Sequence, residues 1–211
     1  SEIAINYALR LAGCGHPVTL IDLDAVTPYF RVRDVREELV TRGVQVVAPK
    51  ESLKSADLPV LPEGVRRVLR HSPNHVVVDV GGDPTGSRVL GGLKDALPPT
   101  AKGLFVVNFR RPFTRTVEKA RNALDLVTKA AGLEASGLVS NTHLADLTAL
   151  EHVMEGLSMT RELTKVTGLP VSMVCAPTSL LDKDDEIRSS LGDANLLYLR
   201  RFLLKPWEIQ G

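Results

Sequence analysis

Short β-rich runs recur along the chain at 17–23 (PVTLIDL), 44–49 (VQVVAP), 75–81 (HVVVDVG), 103–109 (GLFVVNF), 135–141 (ASGLVSN) and 170–177 (PVSMVCAP). Between them, apolar residues return at three- and four-residue spacing, which predicts helices near 32–42, 62–72, 85–96, 114–132 and 146–167, and a last one near 186–204. The chain also opens on a helical pattern: in SEIAINYALRLAGCG, Ile3, Tyr7 and Leu11 recur with Ala4 and Ala8, and Gly13 and Gly15 end it. Strands that are apolar on both faces and alternate with helices belong to a parallel sheet covered on both sides. The expected class is therefore α/β, a doubly wound, mostly parallel sheet with helices on both faces. Because the first element is a helix, a further strand and loop are expected before Ser1.

Composition narrows this picture without redirecting it. A chain of 211 residues with 44% apolar and 24% charged residues is expected to form a single domain over 1–211. The stretch PKESLKSADLP (49–59) is the most loop-like, but it is too short to divide domains. A formal net charge of +1 leaves no electrostatic footprint for nucleic acid. Cys14 and Cys175 are far apart and form no metal-binding spacing, which fits unpaired thiols in a reducing compartment. With no apolar run of about 18 residues and no charged-then-apolar leader, a cytoplasmic protein is expected.

Two stretches carry candidate chemistry. VTLIDLDAV (18–26) ends an apolar run on Asp22 and Asp24, which either form the solvated end of a strand or frame a site at the carboxyl edge of a sheet. VVVDVGGDPTG (76–86) ends a strand on Asp79; Gly81 and Gly82 then allow close backbone approach to a ligand, and Asp83, Pro84 and Thr85 open the next helix. That layout is a Walker B strand running into a switch loop, in which the acid holds magnesium, usually through water, and glycine amides sense a γ-phosphate.

The order of these motifs resembles the MinD/ParA group of P-loop nucleotide-binding proteins. The resemblance makes Ser1 the hydroxyl residue that closes the Walker A loop, with Asn6 on the following helix, and places the glycine-rich loop and its lysine immediately before Ser1. It makes Asp22 and Asp24 the Asp-x-Asp pair, with Asp22 supporting the metal and Asp24 serving the attacking water, and Asp79 the Walker B acid. It implies that Ser1, Asp22 and Asp79 serve magnesium, that Gly82 meets phosphate, and that Asn141 (in GLVSN) and Pro177 (in VCAPTS) line the base pocket. TPYFRVRD (27–34) becomes a switch segment with Arg31 or Arg33 toward phosphate or a partner subunit, although the family's usual Asp-Pro-Gln is replaced by Ala25, Val26 and Thr27 after Asp24. The implied function is a slow, magnesium-dependent ATPase switch, a homodimer with nucleotide that acts on a protein partner. The alternatives are an ATP-dependent amide or cyclo-ligase of the dethiobiotin synthetase or cobyrinic acid amidase sort, and a scaffold of the same fold without nucleotide.

Base choice follows from chemistry. Guanine-selective P-loop proteins follow Asn-Lys with an acid three residues after the Asn, whereas here Thr142 replaces the lysine and Leu144 stands where the acid would be, so adenine is expected. Asp146 reads as the cap of the next helix. Arg110 and Arg111 are expected in solvent, His143 and His152 at the surface or at a helix cap, and Met154 and Met159 in the core. The tail NLLYLRRFLLKPWEIQG, apolar nearly all round, is expected as a helix packed on the sheet rather than on a membrane.

Overall fold

The computed structural model describes residues 1–24, 32–48 and 64–203. They form two compact units, each with its own parallel sheet. The loop-like stretch 49–59, most of the expected switch segment and the end of the tail lie outside the described residues.

The first unit takes in Ser1–Ala101, Ala130–Gly132 and the segment from Arg201. Its strands, β1 (Val18–Asp22), β2 (Val44–Val47) and β3 (His75–Asp79), are ordered β2-β1-β3. The central strand β1 is buried at every residue because sheet neighbours and covering helices leave it no solvent side. Helices α1 (Glu2–Gly13), α2 (Arg36–Thr41), α3 (Val65–His71) and α4 (Pro84–Gly91) alternate with the strands. Ile5 and Ala8 of α1 pack with Leu20 of β1, Val46 of β2, Leu39 of α2 and Leu203. The last of these is tied in by the Glu2 carboxylate, which accepts the N–H groups of Phe202 (3.0 Å) and Leu203 (2.7 Å). Burial pushes the Glu2 carboxyl above its ordinary range, and those two N–H groups pull against that rise. On the central strand, Thr19 is buried and its hydroxyl accepts from the Asn74 side-chain amide (3.0 Å).

The second unit, Lys102–Lys129 with Leu133–Arg200, carries β4 (Gly103–Val107), β5 (Ala135–Ser140), β6 (Val171–Pro177) and β7 (Asn195–Leu199), all parallel and in that order. Helices α5 (Val117–Ala131), α6 (Leu150–Thr167) and α7 (Asp184–Ser189) connect them. Val153 and Leu157 of α6 pack with Val174 of β6, Ile187 of α7 and Leu196 of β7.

The six expected strands are present, and the α/β class with parallel sheets stands. The expected helix over 186–204 is corrected to a short helix, a turn and a seventh strand. Gly192 sits at φ +63, a left-handed backbone that stops helical continuation, and NLLYL then pairs with β6 from Asn195↔Met173 to Leu199↔Pro177. A short run that is apolar at every position satisfies a doubly covered strand as well as a buried helix, so periodicity alone could not separate the two.

Asp146 is corrected as well, since α6 starts at Leu150 and the backbone N–H of its cap residue, Ala149, donates to Nδ1 of His152 (2.9 Å). His152 thus takes the helix-cap role. His143 accepts the N–H of Ala145 through Nδ1 (3.1 Å). Met159 packs against the core of this unit. Both cysteines are free thiols; Cys14 is exposed, and burial pushes the Cys175 thiol up. Among the described residues, no helix is long and apolar enough to cross a membrane.

Candidate functional site

β1 and β3 run side by side in register from Val18↔His75 to Asp22↔Asp79, so both strands deliver a carboxylate to the same edge at the same level. Pairing continues one step further through the N–H of Leu23, which donates to the carbonyl of Asp79 (2.9 Å). Asp24 lies past the end of β1. Side-chain alternation on a strand is therefore not what unites the two acids; the Asp22 Oδ1 accepts the backbone N–H of Asp24 (3.1 Å) and turns the chain there. Asp22, Asp24 and Asp79 are all buried.

Ser1 completes the group. Its hydroxyl donates to Asp79 Oδ2 (2.5 Å), and its nitrogen lies 3.1 Å from Oδ1. Ser1 stands at the amino end of α1, where a twelve-residue helix presents its positive pole. One edge thus offers hard oxygen donors suited to magnesium beside a helix terminus suited to an anion. Asn6, one turn along, is buried, and its side-chain amide donates to the Glu2 carbonyl (2.8 Å). Among the described residues no group of three or more His, Cys, Asp or Glu is arranged to hold a metal ion.

After Asp79 the chain is pinned against its own next helix. A Cβ on Gly81 would fall 2.9 Å from the Cα of Gly86, and one on Gly86 would fall 2.7 Å from the Cα of Gly81. Ser87 Oγ donates to the Gly81 carbonyl (3.1 Å), and Asp83 caps α4 by accepting the N–H groups of Thr85 (2.7 Å) and Gly86 (2.9 Å). Asp24 Oδ1 lies 3.4 Å from where that Gly81 Cβ would sit, so the acid rests directly over the glycine contact. The sequence pointed to Gly81 and Gly82 together, with Gly82 toward phosphate; Gly82 is exposed and would accept a Cβ without touching anything within 4 Å. Gly81 and Gly86 carry the steric requirement; of the two, the sequence missed Gly86, whose signal is its five-residue spacing from Gly81 across a helix start. Gly81→Ala is expected to cost about 1–3 kcal/mol and Gly82→Ala less than about 0.5 kcal/mol, read by denaturant melts of the two variants.

Asn141 and Pro177 belong to the second unit, at the carboxyl ends of neighbouring strands. The Asn141 N–H donates to the Val107 carbonyl (2.9 Å), and Pro177 closes β6 opposite Leu199. Between these strands and α6, Thr142 is buried; its Oγ1 accepts the N–H of Phe109 (3.1 Å), and a Cβ on Gly156 would lie 2.4 Å from its Cβ and Oγ1. Position 142 therefore holds a small, inward side chain, and a lysine would not fit there. Arg110 is half-exposed and paired with Glu155, while Arg111 is exposed.

No family model matches the chain, and no curated protein does. Among solved structures it is similar to FtsY from Mycoplasma mycoides, with a TM-score of 0.53 at 13% identity, over 81% of this chain and 54% of that one. The fold is α/β of the P-loop NTPase type. In open α/β sheets ligands gather beyond the carboxyl ends of the strands, and Asp79 stands at that edge of β3, within hydrogen-bond reach of Ser1 at the amino end of α1. The chain spans about half the length of the FtsY structure.

Proposed function

We propose that this chain is the core of a magnesium-dependent ATP-binding protein of the MinD/ParA kind, a slow ATPase that switches a protein partner. The hydrogen bond from Ser1 Oγ to Asp79 Oδ2 carries the reading, because in P-loop NTPases the loop Ser or Thr and the Walker B acid are the two side chains that share the magnesium ion. In this reading Ser1, Asp79 and Asp22 hold the ion. Bound magnesium would neutralise charge on the terminal phosphates and align them.

The remaining roles fall to the chain itself. Asp24 accepts a hydrogen bond from the attacking water and orients it, and Asp22 supports that role by holding the Asp24 backbone. The Gly82 amide faces the γ-phosphate on the loop that packs through Gly81 against Gly86. Asn141 and Pro177 are the base-lining positions. Nucleotide-dependent pairing of two copies turns binding into a change of surface, and the two free thiols suit a reducing cytoplasm.

The function requires a glycine-rich loop with its lysine before Ser1, so the test uses the full-length protein. In a competition titration, ATP is expected to displace a fluorescent nucleotide at least about tenfold better than GTP, a difference of about 1.4 kcal/mol, since guanine's N1–H and exocyclic amine would meet Leu144 rather than a carboxylate. Equal or tighter GTP binding would overturn the adenine assignment. Binding that ignores magnesium would overturn the role of Ser1, Asp22 and Asp79.

A further inference from the structure

We propose that Glu2 is a positioning residue for the nucleotide site, and that it couples the segment Phe202–Leu203 to that site by latching it onto the first turn of α1. This rests on the nucleotide reading above and extends it to residues that have no role there.

The first turn of α1 lacks the support that a helix start usually takes from its cap residue. Ser1 stands at the cap position, but its side chain makes no capping bond, because its hydroxyl is committed to Asp79, 78 positions away. Glu2 fixes the turn instead. Its carbonyl accepts the Asn6 side-chain amide (2.8 Å), beside the helical bond from the Ile5 N–H to the Ser1 carbonyl (2.9 Å). Its carboxylate is spent on the far end of the chain: Oε1 accepts the N–H groups of Phe202 (3.0 Å) and Leu203 (2.7 Å), and Oε2 lies 3.2 Å from the Phe202 nitrogen.

The donors are themselves anchored. Leu203 is 4% exposed and packs with Ile5 and Ala8 of the same helix and with Leu39 of α2. Phe202 packs against the same cluster, and the Arg42 guanidinium lies 5.7 Å from its ring centroid. Both N–H groups therefore reach Glu2 on backbone held by packed side chains. Hydrogen bonds to an ionised carboxylate are about twice as strong as neutral ones, so the latch holds the residue next to Ser1 firmly and, through it, the hydroxyl that meets Asp79.

Charge gives the latch a second effect. Glu2 adjoins Ser1 at the amino end of α1, where the phosphates of a nucleotide would lie. An unengaged carboxylate there would repel phosphate and compete with it for the positive pole of the helix. The two N–H groups, with the positive charge of Arg201 nearby, offset that charge. Burial of Glu2 works against those same bonds, which brings the latch closer to balance. A ligand that prefers the closed latch then tightens it, and the closed latch strengthens binding of that ligand by the same factor.

Hydrogen exchange and nucleotide titration on the full-length protein test the proposal. In the parent, the amides of Phe202 and Leu203 are expected to exchange at least about fivefold more slowly with ATP and magnesium than without them, the low end of ordinary coupling between sites. Glu2→Ala should weaken magnesium-dependent ATP binding at least about fivefold and abolish that slowing. Glu2→Gln, which keeps an uncharged acceptor, should recover roughly half of the lost affinity on a logarithmic scale. Val46→Ala, which opens a cavity in the same core and removes none of these bonds, should lower Tm and leave affinity within about twofold of the parent. The latch is overturned if Glu2→Ala binds like the parent, if Val46→Ala loses as much affinity as Glu2→Ala, or if Glu2→Gln recovers nothing. The exchange measurement needs no variant and decides the matter even if Glu2→Ala does not fold. A parent that binds ATP while its Phe202 and Leu203 amides ignore it overturns the latch alone, whereas a parent that binds no ATP overturns the nucleotide reading and the latch with it.

Discussion

Replacing Asp24 by alanine is expected to slow single-turnover ATP hydrolysis by about 10²–10⁴-fold, a barrier increase of about 3–5 kcal/mol, while nucleotide affinity stays within about twofold of the parent. The split follows from geometry. Asp24 lies past the strand end, and its backbone N–H is held by the Asp22 carboxylate, a bond that Asp24→Ala keeps. Asp79→Ala is expected to behave differently. Its carboxylate receives the Ser1 hydroxyl at 2.5 Å, so its removal should weaken magnesium-dependent binding as well as turnover. Nucleotide titrations with and without magnesium, beside single-turnover hydrolysis on both variants, separate the two. If Asp24→Ala hydrolyses like the parent, or loses affinity as Asp79→Ala does, the water-serving role of Asp24 must be withdrawn.

The second large effect is on stability. Gly156→Ala should destabilise the protein by about 2 kcal/mol: overpacking costs up to about 3 kcal/mol, and about 1 kcal/mol returns because alanine suits a helix better than glycine. The new Cβ would meet the Cβ and Oγ1 of Thr142 at 2.4 Å. Neither atom is the far end of a flexible chain, and Thr142 cannot swing aside without giving up the N–H of Phe109. In a protein of this size, about 2 kcal/mol lowers Tm by about 4–8 °C. A calorimetric Tm equal to the parent's would mean that α6 moves off β5 at little cost, and the steric account of the small residue at position 142 would fail with it.

Much of the architecture was legible from residue order alone. The apolar runs at 17–23, 75–81 and 170–177 are too short for helices and carry β-branched residues, so local periodicity marked them as strands, and each has a strand within it. That Asp22 and Asp79 end their strands was equally legible, because a carboxylate closing an apolar run can only stand where the sheet meets solvent or a ligand. The cap of α6 was only half legible: the sequence left His152 between surface and helix cap and gave the cap to Asp146, whereas His152 turns back to the Ala149 N–H. What periodicity could not decide was NLLYL: its apolar residues satisfy two geometries, and only the vacant side of β6 and the left-handed turn at Gly192 made it a strand.

For the candidate site, the sequence by itself determined which chemical groups are available: a hydroxyl at a helix start, an Asp-x-Asp, an acid before Gly-Gly, and Thr142 and Leu144 where a guanine reader needs lysine and acid. Those are properties of side chains and near neighbours, and they survive without coordinates. Only the tertiary structure decided which of them meet. Ser1 and Asp79 are 78 positions apart, and their hydrogen bond exists because α1 and β3 converge on one edge. The same holds for the glycines: chain order marked Gly81 and Gly82, but the backbone contact that excludes a side chain lies between Gly81 and Gly86. It is a distance across a turn, which spacing hints at and only packing sets.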